Sequence, residues 1–137
     1  MIFNDVNLGD LPKIAKYLIE NNDRRVFLFK GEMGAGKTTL IKSICKVLKC
    51  QDEVSSPTFA LINHYLSERY GDVFHFDFYR IKTSEEAMDI GFEEYIDSGA
   101  YCFIEWPEMV LKLISVNYVE VQIVSNRLTR QINVHLS

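Results

Sequence analysis

The 137-residue chain has few of the residues that staple small secreted or metal-binding proteins. Its 3 cysteines, Cys45, Cys50 and Cys102, form neither an even set nor a C-x-x-C pair. This spacing argues against a disulfide framework, a metal site or a redox motif. We therefore interpret the cysteines as small buried hydrophobic residues in a reducing cytosol.

An excess of positive charge is also lacking. The chain has 15 Lys and Arg residues against 19 Asp and Glu, a net charge of −4, and the basic residues are scattered. Such a surface is a poor platform for nucleic acid, which binds through clustered positive charge. If RNA is involved in the function, we expect a protein partner to hold it.

Long apolar segments are absent as well. The longest apolar runs have the length of single strands, too short to span a membrane. Residues Met1–Asp5 lack the basic start and the apolar stretch of a signal peptide. A hydrophobic content of 47% and a charged content of 25% are ordinary for a soluble globular protein. We expect one cytoplasmic domain covering residues 1–137.

What the chain does contain is a complete phosphate-binding loop. Residues 31–38 read Gly-Glu-Met-Gly-Ala-Gly-Lys-Thr, which is the G-x-x-x-x-G-K-[ST] pattern. The apolar run Val26–Phe29 precedes it and the helical pattern Thr38–Leu48 follows it, so the motif has the strand–loop–helix context that it needs. We predict that the chain binds a nucleoside triphosphate.

Each position of the loop has a chemical reason. The glycines let the backbone curl, so that successive N–H groups point at phosphate oxygens. The predicted phosphate-binding residues are Met33, Gly34, Ala35, Gly36, Lys37 and Thr38. Lys37 adds a positive charge near the β- and γ-phosphates, and the Thr38 hydroxyl is placed to ligate Mg²⁺. The helix that follows directs its positive end at the same anion.

Apolar periodicity predicts alternating elements with short connections. Predicted helices cover Leu11–Ile19, Thr38–Leu48, Ser84–Ile90 and Pro107–Ile114, the third with a capping box at Thr83 and Glu86. Predicted strands cover Val26–Lys30, Thr58–Tyr65, Val73–Phe78 and Tyr101–Ile104, followed by a C-terminal β-hairpin that turns at Ser125-Asn126-Arg127. The total predicts an α/β, P-loop NTPase-like three-layer domain with a mixed, mostly parallel central sheet.

Two acidic residues end predicted strands. Asp77 closes the run Val73–Phe76, and Glu105 closes the run Tyr101–Ile104. If both strands run parallel to Val26–Lys30, both carboxylates reach the sheet edge where the phosphate loop opens. A carboxylate there can bind Mg²⁺ directly, hold a metal-bound water or orient the attacking water.

Other candidate residues are less specific. The segment Ser55–Phe59 is either a loop that senses the γ-phosphate through Thr58 or a plain turn around Pro57. Trp106, next to Glu105, is a candidate aromatic at the rim of the site. The 3 histidines lie in strand positions without ligand spacing, which favours packing over catalysis; they are His64, His75 and His135.

Five stretches occur in one order along nearly the whole chain, and they read GEMGAGKTT at residues 31–39, SPTF at 56–59, HFDFYR at 75–80, GFEEY at 91–95 and IEWPE at 104–108. Together they resemble the TsaE family, formerly called YjeE, the small ATPases of bacterial tRNA threonylcarbamoyladenosine (t6A) synthesis. The resemblance implies a P-loop fold, ATP with Mg²⁺, weak intrinsic hydrolysis and a cytoplasmic setting. It also implies docking onto the TsaD–TsaB heterodimer, which transfers the threonylcarbamoyl group to adenosine in tRNA.

The resemblance also implies roles for individual residues. Lys37 and Thr38 would bind phosphate and metal, with Thr39 beside them. Glu105 would be a Mg²⁺ ligand needed for hydrolysis and Asp77 the second acidic motif. Two further positions would complete the site, Trp106 in the active rim and Thr58 in the switch. The stretch Asn4–Leu8 and the turn at Asn126-Arg127 are where family members meet the base and ribose, which makes Arg127 a candidate nucleotide contact.

Three other functions are weighed against a partner-driven ATPase. A small-molecule kinase usually needs an acceptor-binding insert and a lid with several arginines, for which the chain has little room. A GTPase-type switch needs N-K-x-D and D-x-x-G motifs, and both are absent from the sequence. A nucleotide-gated binding module without hydrolysis remains open, because a sequence does not reveal a rate.

Overall fold

The computed structural model describes residues 1–51 and 61–137, together with the backbone of a strand at Ser55–Thr58. The described helices are α1 (Leu11–Glu20), α2 (Lys37–Val47), α3 (Ser84–Asp89) and α4 (Phe92–Asp97). The described strands are β1 (Ile2–Val6), β2 (Val26–Lys30), β3 (Ser55–Thr58), β4 (Ile62–Ser67), β5 (Gly71–Asp77), β6 (Tyr101–Glu105), β7 (Tyr118–Asn126) and β8 (Thr129–Leu136). Short 3₁₀ turns lie at Leu8–Asp10, Pro107–Met109 and Leu111–Leu113.

The strands form one sheet in the order β1-β8-β7-β2-β6-β5-β4-β3. Its centre is parallel, because β2 pairs in parallel with β6 and β7, and β5 pairs in parallel with β6. Antiparallel hairpins extend the sheet on both sides. The predicted fold class, an α/β domain with a mixed sheet and a C-terminal hairpin, is confirmed.

The two faces of the sheet bury separate apolar cores, which gives the three layers. One core lies under α1 and α2 and includes Phe27, Phe29 and Phe103. The other lies under α3, α4 and the 3₁₀ turns and includes Phe76 and Phe92. Successive residues of a strand point to opposite faces, so the first four residues of β2, Val26–Phe29, are all apolar and buried because both faces of the strand are covered.

Helix starts follow their sequence signals. Pro12 lies in the first turn of α1, where its missing N–H costs nothing. Thr83 and Glu86 form the predicted capping box at the start of α3, with Glu86 accepting from the backbone N–H of Thr83 at 3.0 Å. Because its carboxylate accepts the backbone N–H groups of Lys82 and Thr83, the pKa of Glu86 lies below its usual value.

Two element predictions are wrong. The single strand predicted at 58–65 is divided into β3 and β4, which pair antiparallel with Thr58 opposite Ile62. No glycine, proline or Asn-Gly pair lies between these residues, so the sequence carries no turn signal there. The helix predicted at 107–114 is replaced by two 3₁₀ turns, closed by bonds such as Val110 N–H to the Pro107 carbonyl at 3.0 Å. A segment this short gains little from α-helical hydrogen bonding, so tertiary packing decides its form.

Candidate nucleotide-binding site

The phosphate loop joins β2, at the centre of the sheet, to α2. Gly31 lies where the backbone of β7 passes closely, and a Cβ atom at this position would meet the Ile123 carbonyl oxygen at 2.7 Å. Gly36 precedes the helix with φ of 110°, which side chains rarely tolerate. These two glycines let the loop turn back over the start of α2, so that its N–H groups and the helix N-terminus face the same space.

Lys37 is folded into its own loop and is only 5% exposed. Its Nζ donates to the Gly31 carbonyl oxygen at 2.5 Å and lies 3.3 Å from the centroid of the Trp106 ring. Burial lowers the pKa of Lys37, and the nearby carboxylates of Glu105, Glu108 and Asp77 oppose that shift. The Lys37 ammonium is therefore held by a neutral carbonyl group and an aromatic ring, and an anion could replace these contacts.

The side chains of Thr38, Glu105 and His75 form one hydrogen-bonded network. The Thr38 hydroxyl donates to the Glu105 carboxylate, with distances of 2.8 and 3.0 Å to its two oxygens. His75 Nε2 lies 2.6 Å from Glu105 Oε2. Glu105 is 4% exposed and His75 is 7% exposed, so this end of the network is shielded from water, whereas Thr38 is exposed.

The ionisation of Glu105 is decided by opposing effects. Burial raises the pKa of the carboxyl, but hydrogen bonds from His75 and Thr38 and the charges of His75 and Lys37 lower it more. The pKa of Glu105 therefore lies below its usual value, and the group is a carboxylate at neutral pH. A buried carboxylate beside a buried ammonium is an electrostatic arrangement that functional sites commonly contain.

Oxygen atoms of this site fit a magnesium ion. Mg²⁺ takes oxygen ligands at about 2.0–2.1 Å in octahedral geometry, so adjacent ligand oxygens lie about 3 Å apart. The Thr38 hydroxyl and the Glu105 carboxylate have this separation. Among the described residues, no group of three or more His, Cys, Asp or Glu side chains could hold a metal ion.

Asp77 lies beside Glu105 at the carboxyl ends of two parallel strands. The two residues are register partners in the β5–β6 pair, as the sequence analysis expected. Asp77 is exposed, and its Oδ1 accepts the backbone N–H of Tyr79 at 3.1 Å. The structure thus brings both acids to the edge where the phosphate loop opens, one buried and one in contact with solvent.

Trp106 has a left-handed backbone with φ of 56° and ψ of 61°, which a bulky residue rarely adopts. Its ring lies against the Lys37 ammonium on the loop side and 4.9 Å from the ring of Tyr79. Backbone strain of this kind persists only where the surrounding structure holds the residue in place, and it is concentrated at functional sites. The structure places Trp106 at the rim of the phosphate loop, where the sequence analysis expected it.

Two cavities include residues of the loop in their lining. One, of about 310 Å³, lies between the loop, the N-terminal segment and the C-terminal hairpin, and residues that line it include Leu8, Gly34, Thr39, Leu128 and Arg130. The Arg130 Nε donates to the Ala35 carbonyl oxygen at 2.9 Å, which ties the hairpin to the loop. The other, of about 870 Å³, is lined by Met33, Asp77, Arg80 and others.

Two predicted nucleotide contacts, Arg127 and Thr58, stay predictions. Arg127 lies at the tip of the β7–β8 turn with φ of 57°, and it is not among the residues that line the smaller cavity, whereas Leu128 and Arg130 are. The Thr58 side chain lies outside the described residues, so the proposed γ-phosphate sensor stays a prediction.

His75 was predicted to pack rather than to join the site, yet it is hydrogen-bonded to Glu105. A signal for it exists, because Val73, His75 and Asp77 alternate with Phe74 and Phe76 along one strand. Val73 and Phe76 pack in different cores, so the alternation places His75 and Asp77 on the face of α2. Strand β5 therefore contributes two residues to the site, His75 and Asp77.

No described helix is both long and apolar enough to cross a membrane.

Comparisons with known proteins agree on one relationship. A family model described as "Threonylcarbamoyl adenosine biosynthesis protein TsaE" matches residues 7–132. A tRNA threonylcarbamoyladenosine biosynthesis protein TsaE from Rickettsia conorii is 36% identical over 119 residues, which cover 83% of this chain and 65% of that protein's length. The protein of the same name from Rickettsia prowazekii is 34% identical over 118 residues, covering 83% of this chain and 79% of that protein.

A solved structure supports the fold. The crystal structure of Bacillus subtilis YdiB superimposes with a TM-score of 0.73, covering 96% of this chain and 82% of that one. The two sequences are 23% identical in this comparison, so this similarity concerns the fold alone.

Proposed function

Because the chain belongs to the TsaE family of threonylcarbamoyl adenosine biosynthesis proteins, we propose that it is a Mg²⁺-dependent ATPase that acts on the TsaD–TsaB heterodimer in tRNA modification. Membership in the family supports a role in t6A biosynthesis and, with it, protein partners. The ATPase activity, the cofactors and the particular heterodimer are parts of the proposal.

One observation carries the proposal. Lys37 and Thr38 at the start of α2 and Glu105 at the end of β6 converge at the mouth of the β2–α2 loop, where the Thr38 hydroxyl donates to the Glu105 carboxylate and the Lys37 ammonium is close enough to lower the pKa of Glu105. A structural ion pair would not need the flanking glycines or the strained Trp106. This set of groups matches what phosphoryl transfer requires, which is positioning and charge stabilisation.

Nucleotide binding would exchange contacts that the site already makes. Lys37 would release the Gly31 carbonyl and donate to the β- and γ-phosphates. The Thr38 hydroxyl would turn its proton away from Glu105, so that both oxygens face a bound Mg²⁺ ion. A bound Mg²⁺ ion would supply charge neutralisation at the phosphate oxygens. The smaller cavity, beside Thr39 and Leu128, would hold the base.

Hydrolysis would proceed by attack of a water molecule on the γ-phosphorus. The bond from the γ-phosphorus to the β–γ bridging oxygen breaks, and the products are ADP and inorganic phosphate. Asp77 would orient that water, a role supported by its exposed position beside Glu105 at the sheet edge. Arg80, which lines the larger cavity with Asp77, is the nearby cation of the same chain. A partner that docks there would complete the site, and the chain alone would then hydrolyse ATP only weakly.

The partner part of the proposal is tested by capture on immobilised TsaD–TsaB heterodimer. We expect capture of the chain in the presence of Mg²⁺ and a non-hydrolysable ATP analogue to exceed capture with ADP or without nucleotide. Lys37→Ala should lose the nucleotide-dependent part, while Lys42→Ala, an exposed lysine of the same helix, should keep it. Equal capture under all three nucleotide conditions would contradict a nucleotide-controlled partner interaction.

The alternatives give different products. A small-molecule kinase would transfer the γ-phosphate to an acceptor in place of water, so radiolabelled phosphate would appear on a cytosolic metabolite rather than as inorganic phosphate. A binding module without hydrolysis would show nucleotide-dependent capture and no ADP. Separation of products after incubation with γ-labelled ATP distinguishes the three.

We expect His75→Phe to weaken the use of Mg²⁺ rather than the binding of ATP. His75 holds Glu105 Oε2 at 2.6 Å, and loss of such outer contacts typically costs about 10–100-fold in metal affinity. The Mg²⁺ concentration for half-maximal hydrolysis should rise by about that factor, and the affinity for ATP without metal should change little. Activity measured over a Mg²⁺ titration checks this.

Two comparisons keep the His75 result interpretable. His75→Gln, which retains a hydrogen-bond donor, should restore part of the Mg²⁺ response. His64→Phe changes a histidine that pairs with Asp72 on the neighbouring strand, away from Glu105, and should leave it unchanged. An unaltered Mg²⁺ requirement in folded His75→Phe would exclude a role for His75 in positioning Glu105.

A further inference from the structure

The other end of α2 brings two cysteines together. After the helix ends at Val47, Lys49 takes a left-handed conformation with φ of 56°. The Lys49 N–H donates to the Lys46 carbonyl oxygen at 3.1 Å, and the Cys50 N–H donates to the Cys45 carbonyl oxygen at 2.9 Å. This is the bonding pattern of a Schellman motif, in which the second residue beyond the helix cap folds back over the last turn.

In such motifs the residues that meet are usually two apolar side chains, and here they are two thiols. Cys45 is 9% exposed and packs in the core under α1 and α2, whereas Cys50 is half-buried at the edge of that core. The backbone bond from the Cys50 N–H to the Cys45 carbonyl oxygen sets the two residues side by side at the end of the helix. One sulfur is thus reachable from solvent and the other lies behind it.

The two thiols differ in reactivity. The hydrogen bond from Cys45 lowers the pKa of Cys50 in spite of its partial burial, and the same bond raises the pKa of Cys45. A lowered pKa and some exposure are the properties of thiols that react with oxidants. Cys102 provides a contrast, because burial raises its pKa to about 12 and its Sγ donates to the Tyr95 carbonyl oxygen on the other face of the sheet.

We propose that Cys45 and Cys50 form a reversible oxidation site, which takes a peroxide and closes to an intramolecular disulfide. The Cys50 thiolate attacks a peroxide oxygen, the O–O bond breaks, and Cys50 sulfenic acid and hydroxide form. The Cys45 sulfur then attacks the sulfenic sulfur. The S–S bond forms, the S–O bond breaks, and the Cys45 proton leaves with the hydroxyl as water.

The odd cysteine count and the missing C-x-x-C spacing give no sign of this role in the sequence. The bond would close a short ring across the helix end, from Cys45 to Cys50, where the backbone of the two residues is already hydrogen-bonded. It would also fix the far end of the helix that carries Lys37 and Thr38. It does not depend on the proposed ATPase activity.

Hydrogen peroxide treatment of the full chain, followed by denaturation, alkylation and mass measurement, tests the site. We expect wild-type protein to lose two hydrogen atoms and to retain one alkylatable thiol, Cys102, and we expect a thiol reductant to restore all three. Cys102→Ser should form the same disulfide and retain no thiol. Cys45→Ser should stop at a Cys50 sulfenic acid, which dimedone traps.

Several results would overturn the proposal. One is three alkylatable thiols in wild-type protein after a peroxide dose that oxidises free glutathione in the same tube. Others are a disulfide that includes Cys102, or a disulfide between two chains seen as a dimer on a non-reducing gel. All variants keep a side chain of similar size, so we expect each one to fold. Circular dichroism melting before treatment shows whether it does.

Discussion

Lys37→Ala should greatly weaken the binding of ATP. The variant removes the ammonium that would donate charge-assisted hydrogen bonds to the β- and γ-phosphates, each worth ~1.5–3 kcal/mol. Affinity should therefore fall by tens of fold or more, for ATP and also for inorganic tripolyphosphate. Titration calorimetry with both ligands measures the loss and shows that it concerns the phosphates rather than the base.

The fold should survive this change. Lys37 is the first residue of α2 and belongs to neither apolar core, and burial lowers its pKa, so the ammonium contributes little to stability. Lys42→Ala, on the exposed side of the same helix, removes the same charge from the chain and should bind ATP like the wild type. If Lys37→Ala bound ATP normally, the assignment of residues 31–38 as a phosphate loop would fail.

Glu105→Gln should separate binding from turnover. The substitution keeps the shape and removes the charge, so the site loses the anionic oxygen proposed to ligate Mg²⁺. Metal ions supply several kcal/mol of transition-state stabilisation, and a loss of about 3 kcal/mol corresponds to about 100-fold in rate. We expect the rate of phosphate release with the heterodimer present to fall by at least about 100-fold.

The matched control is Glu108→Gln, an exposed acid in the 3₁₀ turn after Pro107. It makes the same change in net charge three residues away and also lies near Lys37, yet it is not hydrogen-bonded to Thr38. Its turnover should stay within a few-fold of the wild type. Metal-free ATP binding by Glu105→Gln should remain, because the phosphate contacts of Lys37 do not need the carboxylate. Unchanged turnover in Glu105→Gln would remove Glu105 from the metal site.

The sequence predicts those parts of the site that depend on local patterns. The phosphate loop is contiguous, and Asp77 and Glu105 each follow an apolar strand, so a parallel sheet centre was enough to bring them to one edge. His75 needed one further step, because its role follows from strand alternation across a pair that is distant in the chain. The contact between His75 and Glu105 spans 30 residues, and single-sequence reasoning does not supply the register that creates it.

Other features depended on tertiary packing. The segment after Pro107 has a helical pattern, but it is held as two 3₁₀ turns between the strained Trp106 and the sheet. The C-terminal hairpin was predicted, but its turn lies at Arg127 and Leu128 rather than at Ser125-Asn126-Arg127, because Ser125 and Asn126 belong to β7. Leu128 and Arg130 line the smaller cavity and Arg127 does not. A one-residue shift around a turn reverses the face of every side chain, so a motif can locate a turn without identifying its contacts.

The central claim is that the residues now bonded to one another around the phosphate loop are the ones that hold Mg²⁺ and ATP. A crystal structure of the chain with Mg²⁺ and a non-hydrolysable ATP analogue tests it most directly. The account predicts that Lys37 Nζ leaves the Gly31 carbonyl for the phosphates, and that Thr38 Oγ1 and a Glu105 carboxylate oxygen both ligate the metal. Nucleotide bound elsewhere, or bound with the Lys37–Gly31 and Thr38–Glu105 hydrogen bonds intact, would contradict it.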